Sequence, residues 1–118
     1  KSIVPELIQN VGNGRLTSSV IVEALKLNDE VMAEALAAAQ RILGLLTANL
    51  VNTLDPQMIV FGGGVTERLG EKFIAPIRKV AYANFINKQN ARLVKIVPAA
   101  LKDASGVVGA AVLARRKL

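Results

Sequence analysis

The chain has no cysteine and no histidine. Those two absences exclude disulfides, ordinary zinc sites, cysteine nucleophiles and histidine general bases. The lack of cysteine agrees with a reducing compartment. Aromatic residues make up only 3% and tryptophan is missing, so the core is expected to be aliphatic. Without stacking rings beside its basic residues, the chain is a poor candidate for a single-strand nucleic-acid binder. No apolar run approaches the roughly 20 residues that span a bilayer, because Asn49 and Asn52 interrupt the richest stretch, Ile42 to Leu54. Pro5 and Glu6 break the start before a signal-peptide core can form, and the chain opens on Lys1 rather than Met. A piece of something longer is the expectation.

What is present fits one small α/β unit. The 118 residues are 52% hydrophobic, too apolar for a disordered segment. The net charge of +6 is uneven: residues 1–65 carry four basic and six acidic side chains, residues 66–118 eleven and three. Only Arg115-Arg116-Lys117 forms a basic cluster, so solvated helix faces and a basic tail account for most of the excess.

Along the chain, Ile3, Val4, Leu7 and Ile8 suit a short helix ended by Gly12-Asn13-Gly14, residues that accept positive φ. Thr17 or Ser18 caps a second helix carrying Val20, Ile21, Ala24 and Leu25. Asn28-Asp29 precedes a long third helix to about residue 53, amphipathic at first and then apolar nearly all round. Asp55-Pro56 stops it. Met58-Ile59-Val60-Phe61 reads as a strand buried on both faces. A helix from Thr66 to about Asn87 follows, with Pro76 expected to kink or divide it. Leu93 to Val97 reads as a second strand, Ala99 to Ser105 as a loop and Gly106 to Arg116 as a last helix. Asp103 and Ser105 are expected caps. Strands separated by helices imply parallel pairing. Two strands make a poor sheet, so more are expected upstream or from another chain.

The sharpest motif is Gly62-Gly63-Gly64 at the end of the first strand. Open α/β sheets bind ligands at that edge. Glycine lets a flat base or a phosphate meet bare backbone, and a following helix N-terminus favours anions. A tight strand-to-helix turn without a ligand is the plain alternative. No Walker A loop fits Gly64 to Lys72, and Glu67 stands where a dinucleotide fingerprint needs glycine or alanine.

Here a resemblance becomes specific. ANLVNTLDPQMIVFGGGV (residues 48–65) resembles the segment leading into the adenosine-side loop of ROK-family sugar kinases (repressor, open reading frame, kinase). IAPIRKV (74–80) is similar to that family's next helix, and VKIVPAALKDASGVVGAAVLA (94–114) to its closing strand, loop and helix. RLTSSVIVEALKLNDEVMAEALAAAQRILG (15–44) resembles its paired helices before the loop.

The resemblance implies an actin-like, ribonuclease-H-like ATPase fold. The chain would be the C-terminal part of its large lobe, helical over 1–54 and strand-helix-strand-helix over 55–118. Gly62, Gly63, Gly64 and Val65 would face the nucleotide. Catalytic and metal residues would lie outside the chain, as would the family's Cys/His zinc cluster. Asn28-Asp29 superficially resembles the family's catalytic Asn-Asp pair, but it sits between helices and reads as a cap. The parent would be a cytoplasmic, glucokinase-like kinase using ATP with Mg²⁺ on a hexose, and a homo-oligomer. A sugar-responsive repressor of the same family, with DNA as partner, is the alternative. A structural module without nucleotide affinity is the third reading.

Overall fold

The structure is a computed structural model that describes residues 1–89 and 93–117. Among the described residues six helices and two strands follow in the order α1 (Val4–Asn10), α2 (Ser18–Lys26), α3 (Glu30–Leu54), β1 (Met58–Phe61), α4 (Gly64–Leu69), α5 (Glu71–Ala83), β2 (Lys95–Pro98) and α6 (Ser105–Lys117). A 3-10 turn, Lys102–Ala104, precedes α6. The expected capping holds for α2 and α3. Thr17 accepts from the Val20 amide, and Asp29 accepts from the Met32 amide at 2.8 Å. Asp55 ends α3 in the left-handed region at φ 50°.

β1 and β2 pair in parallel, Met58 opposite Lys95 through Phe61 opposite Pro98, with α4 and α5 between them in the chain. β2 begins at Lys95, two residues later than the sequence pattern places it. Ser105 opens α6 instead of preceding it, and Asp103 lies in the 3-10 turn.

The helix after β1 breaks elsewhere than expected. Gly70, at φ 57° and ψ −130°, separates α4 from α5. Pro76 sits inside an unbroken α5. A mid-helix proline leaves the carbonyl four residues back without its amide donor, here that of Lys72. The buried Gln40 on α3 sends its amide Nε2 to the Lys72 carbonyl at 3.4 Å and to the Phe73 carbonyl at 3.1 Å. A side chain from the neighbouring helix thus satisfies what the ring removes.

Two cores result. The smaller joins Leu7, Val20, Ala24 and Met32. The larger gathers Ala48 and Val51 from α3 with Phe73, Ile74, Ile77 and Ala81 from α5, plus Phe85, Val94 and Ile96. α3 takes part in both, so packing does not divide between residues 54 and 55. Its buried stripe is Gln40, Gly44, Thr47, Ala48 and Val51, the spacing of one helix face. At Gly44 the seam with α5 is so close that an added Cβ would lie 2.6 Å from Val80 Cβ and 2.9 Å from the Ile77 carbonyl. α3 is also long and apolar enough to cross a membrane by length and composition, with a mean hydropathy of 1.3 in its best window. Its polar residues nevertheless serve the fold: besides Gln40, Asn52 bonds the Asn84 carbonyl and the Ile86 amide.

The rest of the apolar surface is bare. Ile42, Leu45, Leu46, Leu50 and Leu54 on α3 are exposed, as are Met58 and Val60 on β1 and Val107, Val108, Val112 and Leu113 on α6. The strand expected to be buried on both faces is therefore covered on one. The two sheet edges also differ. On the outer edge of β2, Arg78 donates to the Ile96 carbonyl and Tyr82 to the Val94 carbonyl, and Pro98 has no amide hydrogen. Blocking of this kind marks a true edge strand. β1 has no such guard among the described residues. The radius of gyration is 16.9 Å, against roughly 13–14 Å for a compact chain of this length.

Candidate functional site

Both strands end on the same side, and the segments leaving them form a recess. The ladder extends one step past the strands, where the Ala99 amide donates to the Phe61 carbonyl at 2.8 Å. That bond holds the Pro98-Ala99 segment beside the glycine turn. The recess has a volume of about 130 Å³ and is lined by Phe61, Gly62, Gly63, Thr66, Glu67, Gly70, Pro98, Ala99 and Lys102. It sits at the carboxyl ends of parallel strands, where α/β sheets bind ligands. A larger groove around Val51, Asn52, Phe85 and Val94 lies at the opposite end of the strands.

The three glycines have different jobs. Gly63 lies at φ 103° and ψ 169°, a region essentially restricted to glycine. An added Cβ at Gly62 or Gly63 would meet nothing within 4 Å, so both present open backbone to the recess. Gly64 is instead the first residue of α4, and a Cβ there would come within 3.1 Å of Ser18 Oγ. Val65 packs against the larger core. Of the four candidate residues, Gly62 and Gly63 line the recess and Gly64 and Val65 do not.

The turn is tied down locally. The Glu67 amide donates to the Gly63 carbonyl at 3.0 Å. The Thr66 hydroxyl, on a buried residue, donates to the Gly62 carbonyl at 3.4 Å. Arg68 Nε donates to Ser18 Oγ at 3.0 Å and so ties α4 to α2. With only six residues before Gly70, α4 offers a much weaker macrodipole than the long helix expected after β1. What the recess offers a ligand is bare backbone and side chains.

Sequence reasoning missed Glu67 and Lys102, the two charged residues of the recess. The signal for Lys102 was faint: a basic residue in the loop after the second strand. Its backbone sits at φ 52°, which no sequence pattern announces. Asp29 is a structural cap. It accepts from the Met32 and Ile3 amides and from the Ser2 hydroxyl, and those donors, the Met32 amide foremost, hold its carboxyl below the usual range. It lies between helices, away from the recess. Glu71 is likewise lowered, by its hydrogen bonds from Arg78, and serves the α5–β2 packing. No group of three or more Asp or Glu residues able to hold a metal ion comes together among the described residues.

The chain resembles known proteins along most of its length. The ROK family model matches residues 7–117. The N-acetylgalactosamine kinase AgaK of Shewanella sp. (strain ANA-3) is 32% identical over 107 residues, covering 91% of this chain and 33% of that protein. The crystal structure of a ROK family glucokinase from Streptomyces griseus, in complex with glucose and AMPPNP, superposes with a TM-score of 0.72. It is 33% identical, over 83% of this chain and 31% of that one. A Cytophaga hutchinsonii protein proposed to be a sugar kinase superposes with a TM-score of 0.70 at 22% identity, over 94% of this chain and 38% of its own, and bears on the fold alone. The chain spans about a third of the length of these relatives.

Proposed function

Since the chain belongs to the ROK family, with an α/β fold that is part of the actin-like ATPase fold, we propose that it is the nucleotide-side portion of an ATP-dependent sugar kinase. The observation that carries this reading is the recess at the strand ends, where Gly62 and Gly63 leave backbone uncovered beside the Pro98-Ala99 segment. A flat base or a ribose needs that kind of wall. At about 130 Å³ the recess is smaller than the ~300 Å³ at which complete small-molecule pockets begin. It is one wall of a site, and the facing wall belongs to another part of the protein.

In this reading the chain is the C-terminal part of the large lobe, with residues 1–54 as its helical half and 55–118 as its strand-bearing half. Further strands add to β1, whose outer edge is unguarded, while β2 ends the sheet. The bare stripes of α3 and α6 pack on what those strands bring. The chain's own work is to hold and orient the adenosine end of ATP. Bound ATP supplies the phosphoryl group. The carboxylate that takes the sugar proton and the ligands of Mg²⁺ belong, in this reading, to the part of the protein outside this chain. A hexose or an N-acetylated hexose is the proposed acceptor, from the kinases named above. Cytoplasmic location and homo-oligomerisation belong to the same proposal.

A coupled assay for ADP tests it. The 118-residue chain, given Mg-ATP with glucose or N-acetylgalactosamine, is expected to release no ADP above a no-protein control. A protein that joins this chain to the missing two thirds of the relatives' length is expected to release ADP only when sugar is present. Sugar-dependent turnover by the short chain would overturn the division of labour. Failure of the long protein with every hexose tried would favour the repressor alternative.

A further inference from the structure

The recess carries two opposite charges that do not pair. Glu67, on α4, lines one side, and Lys102, in the turn after β2, lines another. Both are exposed. Neither side chain makes a hydrogen bond or an ion pair with the other or with any described group; among the described residues the ion pairs are Lys26–Glu23 and Arg78–Glu71. Two unlike charges on one small recess, held apart, form a dipolar frame. Such a frame suits a ligand that donates hydrogen bonds at one end and carries negative charge at the other.

The backbone at Lys102 adds an independent observation. The Ala104 amide donates to the Leu101 carbonyl at 3.0 Å, closing a turn in which Lys102 is the first central residue at φ 52°. Turns with positive φ at that position are dominated by Gly, Asn and Asp. Lysine gains nothing there by conformation, and its side chain repays nothing through contacts in the fold. A backbone outlier of this kind is a pointer to function, and here it lies on the recess wall.

We propose that this pair reads a nucleotide by its two ends: Glu67 accepts from the ribose hydroxyls and Lys102 contacts the phosphates. The inference rests on the nucleotide reading of the turn and assigns it specificity. A nucleoside phosphate is preferred over a nucleoside because of Lys102, and a ribonucleotide over its dideoxy form because of Glu67. Gly62 and Gly63 supply the uncharged wall between them.

The test is titration of a ¹⁵N-labelled protein that joins this chain to the missing two thirds of the relatives' length, with ATP, adenosine and 2′,3′-dideoxy-ATP, read from amide shifts of Gly62, Gly63 and Ala99. In Lys102→Met, ATP affinity is expected to fall about tenfold, as for a lost charge-assisted contact, while adenosine stays within about twofold. Lys102→Gly removes the same charge and suits the turn. It should weaken ATP equally while leaving the thermal melt unchanged or higher, which separates ligand contact from folding. Glu67→Gln is expected to weaken ATP and adenosine together and to leave dideoxy-ATP unchanged. Equal loss of ATP and adenosine in Lys102→Met, or no loss of ATP, overturns the proposal while the glycine turn stays a nucleotide wall. Absence of any ATP-induced shift at the turn in the unsubstituted joined protein overturns the nucleotide reading and this proposal together.

Discussion

The seam between α3 and α5 and the turn after β1 both depend on glycine, for opposite reasons. At Gly44 the absent side chain is occupied space: Val80 and the Ile77 carbonyl stand within 3 Å of where a Cβ would be. At Gly63 the absent side chain is empty space with a backbone that other residues resist, at φ 103°. One glycine lets two helices touch, and the other leaves backbone uncovered. The difference teaches that filled room beside a glycine marks packing, and that open room marks a candidate site where, as at Gly63, a recess adjoins it.

The same edits applied to the two regions sharpen that contrast. The largest effect belongs to the seam's filling. Ile77 is fully buried, and Ile77→Ala should cost about 2–5 kcal/mol in urea unfolding; a cost below about 1 kcal/mol, the level of ordinary surface changes, would mean the seam is loose. Gly44→Ala comes next. Helix propensity favours alanine by about 1 kcal/mol, but overpacking costs about 1–3 kcal/mol. With a backbone carbonyl among the clashing atoms the overpacking should win, lowering the melting temperature. A raised melt would show that α5 yields. Gly63→Ala meets no atoms but must hold a glycine-only conformation, costing up to about 1–3 kcal/mol. Gly62→Ala, with negative φ and open space, should change stability by less than about 0.5 kcal/mol. If Gly62→Ala destabilised as much as Gly44→Ala, the distinction between the two regions would collapse.

Acid probes the fold outside both regions. Asp29 has its carboxyl lowered from about 3.8 by the Met32 and Ile3 amides. A depressed carboxylate stabilises the fold above its ordinary value and loses that contribution as pH falls through the folded-state value. Stability measured by urea should therefore drop below about pH 4, and Asp29→Asn should flatten that limb while lowering the plateau at neutral pH. An unchanged acid limb would remove Asp29 from the account.

Much of this was legible in the sequence because the signals were local. Thr17, Asp29 and Asp55-Pro56 mark helix ends through their own chemistry, and the run Met58–Phe61 before three glycines could be read directly. The misplaced break after β1 has a physical cause. Pro76 carries the stronger breaking signal, but its cost is met by Gln40, 36 positions earlier, through a contact no pattern displays. Gly70 then ends α4 with backbone freedom alone. The burial of β1 was misjudged because its residue types describe a strand with neighbours on both sides, and one side is uncovered here. At the recess, Gly62 and Gly63 were visible as letters. Glu67 joins them locally, its amide bonded to the Gly63 carbonyl, and Lys102 joins them only through the parallel pairing that brings the two strand ends together.

The most direct test of the central claim is where ATP touches the chain. In a ¹⁵N titration of the protein that joins this chain to the rest of the relatives' length, ATP should shift the amides of Gly62, Gly63, Ala99 and Lys102 at the carboxyl ends of the strands, and leave those of Asn52, Phe85 and Val94 at the other end unmoved. Shifts confined to Asn52, Phe85 and Val94, with Gly62 and Gly63 silent, would contradict the account.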